Sequence, residues 1–373
     1  MRYDVSEDQT LLVETTSRFL ERESPLASVR ALHEAGRSFD PAVWRRGAEL
    51  GWTSMLVPEA LGGGSVSGGP VEDLALVAQA IGHLVGPGPF AVANAVAAAI
   101  ARSGSSGQQA DTLSGIVSGE TIATWAVAEV GDPFPAAPAV WATPAGDTWH
   151  LDGVKVQVPE AAVADVVLVT ATTPDGVGQF LVRRDAPGVT VRPLESLDLV
   201  RHYADVELAA AAGSAVGVPG RVDDDVDHQR RVVIALQCAE TVGIMERVFD
   251  MTVAYSLDRV AFGRPIGSYQ ALKHRFADMR TWVEAANASS DAAAAALDAG
   301  AADVDELIAV AAAYIADRSV ALVQDCIQIH GGIGVTWEHD LHLYLRRATQ
   351  NALLHGTSDD HRRHLSELLE ATP

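Results

Sequence analysis

Arg259-Val260-Ala261-Phe262-Gly263-Arg264-Pro265-Ile266, followed by Gln270, separates two long helical patterns. Upstream, residues 224–259 place Val233, Leu236, Cys238, Val242, Met245 and Phe249 at helical spacing. Downstream, 269–299 and 304–329 read as two further helices, and a last one starts after Thr357 and ends near Glu370. Four long helices joined by short connections predict a four-helix bundle over 223–373.

The two preceding segments differ from each other. Over 121–222, short β-prone runs alternate with Gly- and Pro-marked corners, which predicts a small antiparallel β-domain. Its expected strands are 121–128, 148–158, 164–170, 178–182 and 189–193, with a turn at 149–153. Over 1–120 the pattern is helical. Ser6 is a candidate cap for a helix over 7–20, and 41–50, 74–84 and 89–101 are further helices. The expected architecture is therefore α+β: an N-terminal α-helical domain over 1–120, the middle β-domain, and the C-terminal bundle.

Composition narrows the function. The 373 residues carry a formal charge of −22, which repels phosphate backbones and anionic lipid, so neither nucleic acid nor membrane is expected as partner. No apolar run is long enough to span a bilayer, and the N-terminus shows no signal-peptide pattern. Cys238 and Cys326 are lone thiols in apolar stretches, expected to be buried small hydrophobes in a reducing, cytoplasmic setting.

The 259–270 stretch resembles the acyl-CoA dehydrogenase signature Arg-x-x-Phe-Gly-x-x-Ile-x-x-x-Gln. Gln328-Ile329-His330-Gly331-Gly332-Ile333-Gly334 resembles the same family's Gln-x-x-Gly-Gly-x-Gly motif. Arg346-Arg347-Ala348 stands where the family has Arg-Asp-Ala or similar, and Pro58-Glu59 with Gly62-Gly63 resembles its N-terminal helix connection. The chemistry suits a dinucleotide. Arg259 offers a planar fork of donors, Phe262 an apolar face and Gln270 an amide, and glycines let a backbone approach a ligand closely. The resemblance implies FAD, held by Arg259, Phe262, Gln270, Gln328, Gly331, Gly332, Gly334 and Thr357. It also implies an oligomer, because these groups reach a neighbouring subunit's flavin.

The sequence departs from that pattern where the chemistry would occur. α,β-Dehydrogenation needs a base for the proton beside the thioester, normally a carboxylate. In Leu353-Leu354-His355-Gly356-Thr357, His355 stands in the family's glutamate position; the alternative glutamate position falls at about Val233. In the β-domain, Ala128, Gln157 and Pro159 stand where the family carries Thr, Trp and Thr against the flavin ring. The chain thus resembles the base-lacking subunit of actinobacterial heterotetrameric acyl-CoA dehydrogenases acting on steroid side-chain thioesters. That resemblance implies lipid degradation, a paralogous catalytic partner in an α2β2 assembly, an acyl-CoA substrate and electron-transfer flavoprotein as acceptor. Alternatives are a self-sufficient flavoenzyme using His355 or a nearby acid such as Asp359, a flavin monooxygenase of the same fold, and a non-catalytic assembly protein.

Overall fold

The structure is a computed structural model that describes residues 5–371; the N-terminal Met-Arg-Tyr-Asp of the signal-peptide reading lies outside them. Contacts sort the chain into two compact units, one comprising residues up to Ala27, Ala75–Gly86 and Ile234 onward, the other Ser28–Leu74 and Pro87–Val233.

The first unit is helical. Helix α1 (Glu7–Glu23) begins with a reciprocal cap, in which Ser6 Oγ accepts the Gln9 N–H and Gln9 Oε1 accepts the Ser6 N–H, both at 3.1 Å. Leu12, Thr16, Phe19 and Leu20 form its buried stripe. The expected bundle helices are all found: α8 (Asp223–Asp258), α9 (Gln270–Ala299), α10 (Val304–His330) and α12 (Ser358–Ala371). A fifth helix, α11 (Leu341–Leu354), lies between the last two and was not expected. Helix α4 (Pro70–His83) contributes its C-terminal part and meets α8 backbone to backbone. A Cβ at Gly82 would stand 2.0 Å from the Glu240 carbonyl oxygen, and one at Gly243 2.0 Å from that of Gln79. Only glycine permits this crossing.

A buried ion pair fastens the same region. Arg347 on α11 has no exposed surface; it donates to Glu240 Oε1 at 2.6 Å and to the Gly86 carbonyl at 3.1 Å. Asn351, one turn on, donates to Thr241 at 3.0 Å. Arg347 of the Arg-Arg-Ala motif is therefore a core fastener. Cys238 and Cys326 are buried free thiols, as expected, with burial pushing both up to about 12.

The second unit is built on a sheet. Strands β1 (Ala123–Ala126), β2 (Trp141–Ala145), β3 (Thr148–Pro159), β4 (Val166–Thr173), β5 (Gly176–Arg183), β6 (Val189–Pro193) and β7 (Tyr203–Val216) are hydrogen-bonded in the order β1-β4-β2-β3-β7-β5, with β6 on β7 and β4 also on β5. The pairing β4-β2-β3-β7-β5-β4 closes a ring around Leu151, Val167, Phe180, Val206 and Leu208. Two pairings are parallel, β1 with β4 and β2 with β4, so the sheet is mixed rather than purely antiparallel. The expected turn at 149–153 is instead the interior of β3. Gly153, at φ 136°, marks a register shift against β7, and a Cβ there would stand 3.0 Å from the Val140 Cα. The turn falls earlier, at Gly146-Asp147.

Helices α2 (Leu26–Glu34), α3 (Pro41–Glu49) and α5 (Phe90–Ser103) complete this unit, together with a helical stretch of α6 (Ser106–Gln108), a π turn over Gln109–Leu113 and α7 (Ser114–Val117). Helix α3 starts as expected, with Asp40 Oδ1 accepting the Ala42 N–H at 2.8 Å and Pro41 at the first position. Among the described residues no helix is long and apolar enough to cross a membrane, and no group of His, Cys, Asp and Glu could hold a metal ion.

Candidate functional site

In the first unit the two signature motifs read from the sequence sit on helix ends. Where α8 stops, β8 (Val260–Ala261) and β9 (Arg264–Pro265) form a two-residue hairpin whose tip is Phe262-Gly263. Both tip residues have positive φ, 52° for Phe262 and 80° for Gly263, the geometry of a primed hairpin turn. Glycine takes it freely; a phenylalanine does so only against a steric penalty. Phe262 is also 97% exposed. The hairpin is braced from below: Tyr269 Oη donates to the Ala261 carbonyl at 2.9 Å, and the Arg264 guanidinium lies 4.0 Å from the Tyr269 ring centre. A rigid support thus presents a strained, uncovered aromatic ring.

The second motif ends α10. Tyr255, one turn before Arg259, stacks on His330 at 4.3 Å between ring centres, and its hydroxyl donates to the His330 carbonyl at 3.3 Å. This contact joins the end of α8 to the residue preceding the glycine run. Burial and the neighbouring His339 hold His330 below its ordinary value, against a hydrogen bond to the Cys326 carbonyl. The three glycines have different tasks. Gly331 has φ 65° and ends the helix; a Cβ on it or on Gly332 would meet nothing within 4 Å. Gly334 is buried, and a Cβ there would stand 2.6 Å from the Ile327 carbonyl oxygen, so it folds the turn back on α10. Gly331 and Gly332 are exposed, as are Arg259, Phe262, Gln270 and Gln328.

Thr357 is placed differently. It caps α12, donating from its hydroxyl to Asp360 Oδ2 at 2.6 Å and from its N–H to the same oxygen at 2.9 Å. Those two bonds, with Arg363, bring the Asp360 carboxyl down to about 2. His355 is half-buried at the C-cap of α11, and Asp359 on α12 is exposed and paired with Arg362 at 2.8 Å. Val233 is wholly buried, and its neighbours Val232 and Ile234 are buried too, so the second glutamate position is core.

The second unit holds Ala128, Gln157 and Pro159, the positions that the sequence resemblance sets against a flavin ring. β3 has a register shift between Lys155 and Val158, and Gln157 within it has φ 51°. Its N–H donates to Asp205 Oδ1 at 3.2 Å. The Pro159 carbonyl accepts from the Thr124 hydroxyl at 2.5 Å, and the Ala128 carbonyl from the Val156 N–H at 3.0 Å. Neither Ala128 nor Pro159 carries a hydroxyl, so the side-chain donors expected at these two positions are absent. Beneath them the wholly buried Lys155 donates to Glu129 Oε1 at 2.7 Å and the Val127 carbonyl at 3.0 Å. Burial draws Lys155 down to about 8, with Glu129 opposing the shift.

Glu160, next along, was not singled out in the sequence and has the most consequential charge state. It is 1% exposed, with φ 54°. Burial raises its carboxyl from 4.5 to about 7, against hydrogen bonds from Ser38 and the His202 N–H and the charge of Arg201. A folded value above the unfolded one means the fold prefers the protonated form. That stability is fully present below pH 4.5 and is lost as pH rises through about 7. Glu160→Gln, which cannot ionise, is expected to raise the unfolding free energy at pH 8 by about 3 kcal/mol and to change it little at pH 4, measured by denaturant titration at both pH values.

Comparison with known proteins accords with this arrangement. Residues 6–120 match the family described as "Acyl-CoA dehydrogenase, N-terminal domain", and residues 228–369 match "Acyl-CoA dehydrogenase, C-terminal domain". The acyl-CoA dehydrogenase IpdE2 of Mycolicibacterium smegmatis is 30% identical over 372 residues, covering 97% of this chain and 98% of its own. Among solved structures, a variant of the Tcur3481-Tcur3483 steroid ACAD superposes with a TM-score of 0.88 at 30% identity, covering 98% of each chain. The ChsE4-ChsE5 complex from Mycobacterium tuberculosis gives a TM-score of 0.87 at 28% identity over 100% of both chains. With both family domains matched in order and the signature residues on neighbouring helix ends, the chain belongs to the acyl-CoA dehydrogenase family.

Proposed function

We propose that this chain is the FAD-supporting, base-lacking subunit of a heteromeric acyl-CoA dehydrogenase. The observation that carries the reading is Phe262: a strained aromatic on a braced hairpin, almost completely exposed, has a purpose when another chain or its cofactor covers it. The exposed donors fit a dinucleotide. Arg259 would pair with the diphosphate, Gln270 and Gln328 would bond polar edges, and the open backbone at Gly331-Gly332 would let phosphate or sugar approach. Gly334 and Thr357 would act indirectly, by shaping the two turns.

FAD, when bound, supplies the acceptor for the hydride leaving the β-carbon of the thioester. This chain's residues hold and orient the cofactor's nucleotide end. Removal of the α-proton falls to a carboxylate of a paralogous partner, because His355 and Val233 occupy the family's two base positions here. Names among the similar proteins, a steroid ACAD and the ChsE4-ChsE5 complex, support a steroid side-chain CoA ester as substrate and a two-subunit assembly, α2β2 in this reading. Electron-transfer flavoprotein is the acceptor in this scheme, and the cytoplasm the compartment.

The test is turnover by the chain co-produced with a neighbouring paralogue that carries the glutamate. His355→Ala should leave the rate within about twofold, while replacing the partner's glutamate by glutamine should lower it by at least ~100-fold. If His355→Ala alone abolishes turnover while FAD stays bound, the chain supplies its own base and the proposal fails.

A further inference from the structure

A cavity of about 690 Å³ opens in the β-sheet unit, between the α2–α3 connection, the end of β3 and the β6–β7 connection. Phe39, Ile122, Val163, Leu194, Leu199 and Tyr203 give it largely apolar walls. Its size is that of a small-molecule pocket.

Glu160 lines the same cavity. Its Oε1 accepts the His202 N–H at 3.1 Å, whereas its buried Oε2 has no hydrogen-bond partner. A buried polar atom left bare is costly and calls for an explanation. The Ser38 side chain also hydrogen-bonds this carboxyl. With Oε1 receiving an N–H, a proton on it resides on Oε2, an O–H donor for which the structure shows no partner. Burial keeps a large share of the group protonated near neutrality. The other buried carboxylate in the lining, Asp198, already accepts the N–H groups of Val200 and Arg201 at 2.9 and 3.0 Å. Exposed Arg37 and His33 stand against exposed Glu195, so the exposed part of the lining carries both signs of charge.

We infer that this cavity is a binding site for a small neutral molecule with an apolar body and one carbonyl oxygen, which accepts a hydrogen bond from Glu160 Oε2. The lining belongs entirely to the β-sheet unit and includes none of the flavin-motif residues, so the inference stands apart from the assignment of FAD.

The experiment titrates menthone, a compact monocyclic ketone, into the full chain and follows heat or tryptophan emission. Saturable binding is expected for the natural sequence and for Glu160→Gln, whose amide still donates. Glu160→Leu, which keeps the volume but has no donor, should bind about tenfold more weakly, and Leu194→Trp, which fills the cavity, should not bind. Glu160→Gln guards against a folding artefact, since it keeps the shape and removes only the ionisation. Absence of saturable binding by the natural chain, or equal affinity in Glu160→Leu, would overturn the inference.

Discussion

Arg347→Leu is expected to destabilise the helical unit by about 3–5 kcal/mol, the largest single effect on folding anticipated here. The magnitude comes from what remains behind. Glu240 is 5% exposed, and its Oε1 accepts from Arg347 at 2.6 Å. Without the guanidinium that carboxylate loses its charge-assisted bond at 2.6 Å, and the Gly86 carbonyl loses the donor at 3.1 Å. Leucine fills part of the volume and compensates neither loss. Removing both charges, as Arg347→Met with Glu240→Leu, should restore most of the stability, because a buried pair contributes little net once its desolvation is counted. A double-mutant cycle in denaturant reads the coupling directly. A loss below ~1 kcal/mol in the single variant would mean that water reaches the pair.

The second large effect concerns the cofactor and leaves the fold untouched. Phe262→Gly should keep the isolated chain at least as stable as before, because the ring is 97% exposed and glycine relieves the left-handed φ. Arg259→Leu should also be tolerated, since Arg259 is exposed. In the assembled protein the two should behave differently from the parent. Arg259→Leu removes charge-assisted bonds to a diphosphate of about 3 kcal/mol together, so FAD should bind ~100-fold more weakly. Phe262→Gly should also lower flavin content. Fluorescence of released flavin against protein concentration measures this, and thermal melting of the isolated chain supplies the stability control. Unchanged flavin content in both variants would remove these residues from the site.

How far the sequence led follows from the chemistry of each segment. Helices α1, α8, α9, α10 and α12 were legible because their apolar residues recur at helical spacing over several turns. Helix α11 escaped because its buried face carries Arg347 and Asn351 among Leu341, Leu343, Tyr344 and Ala348, so polar residues break the apolar stripe. Strand β7 escaped because its second half, with Ala209-Ala210-Ala211-Ala212-Gly213, has weak strand preference and is held in the sheet by its partners β3 and β5. Strand β2 is short, carries Pro144 and buries little beyond Ala142.

For the candidate site, residue types and spacing singled out two motifs, which lie on helix ends. They did not separate glycines with open space, Gly331 and Gly332, from Gly334, whose place is set by the Ile327 carbonyl. They also did not reveal that Thr357 is engaged in a cap. Those distinctions depend on packing between segments. The Tyr255–His330 stack that links the two motifs spans 75 residues, and nothing local in the sequence announces it. Glu160 was invisible for a similar reason: its burial depends on residues from the α2–α3 and β6–β7 connections.

The central claim is that the exposed flavin-motif groups of this chain serve a site completed by a different subunit. Native mass spectrometry tests it most directly, with the chain produced alone and together with a glutamate-bearing paralogue. The account predicts no retained FAD in the chain alone, and a mixed assembly with FAD bound when the two are made together. A stable, FAD-loaded homo-oligomer that oxidises acyl-CoA by itself would contradict it.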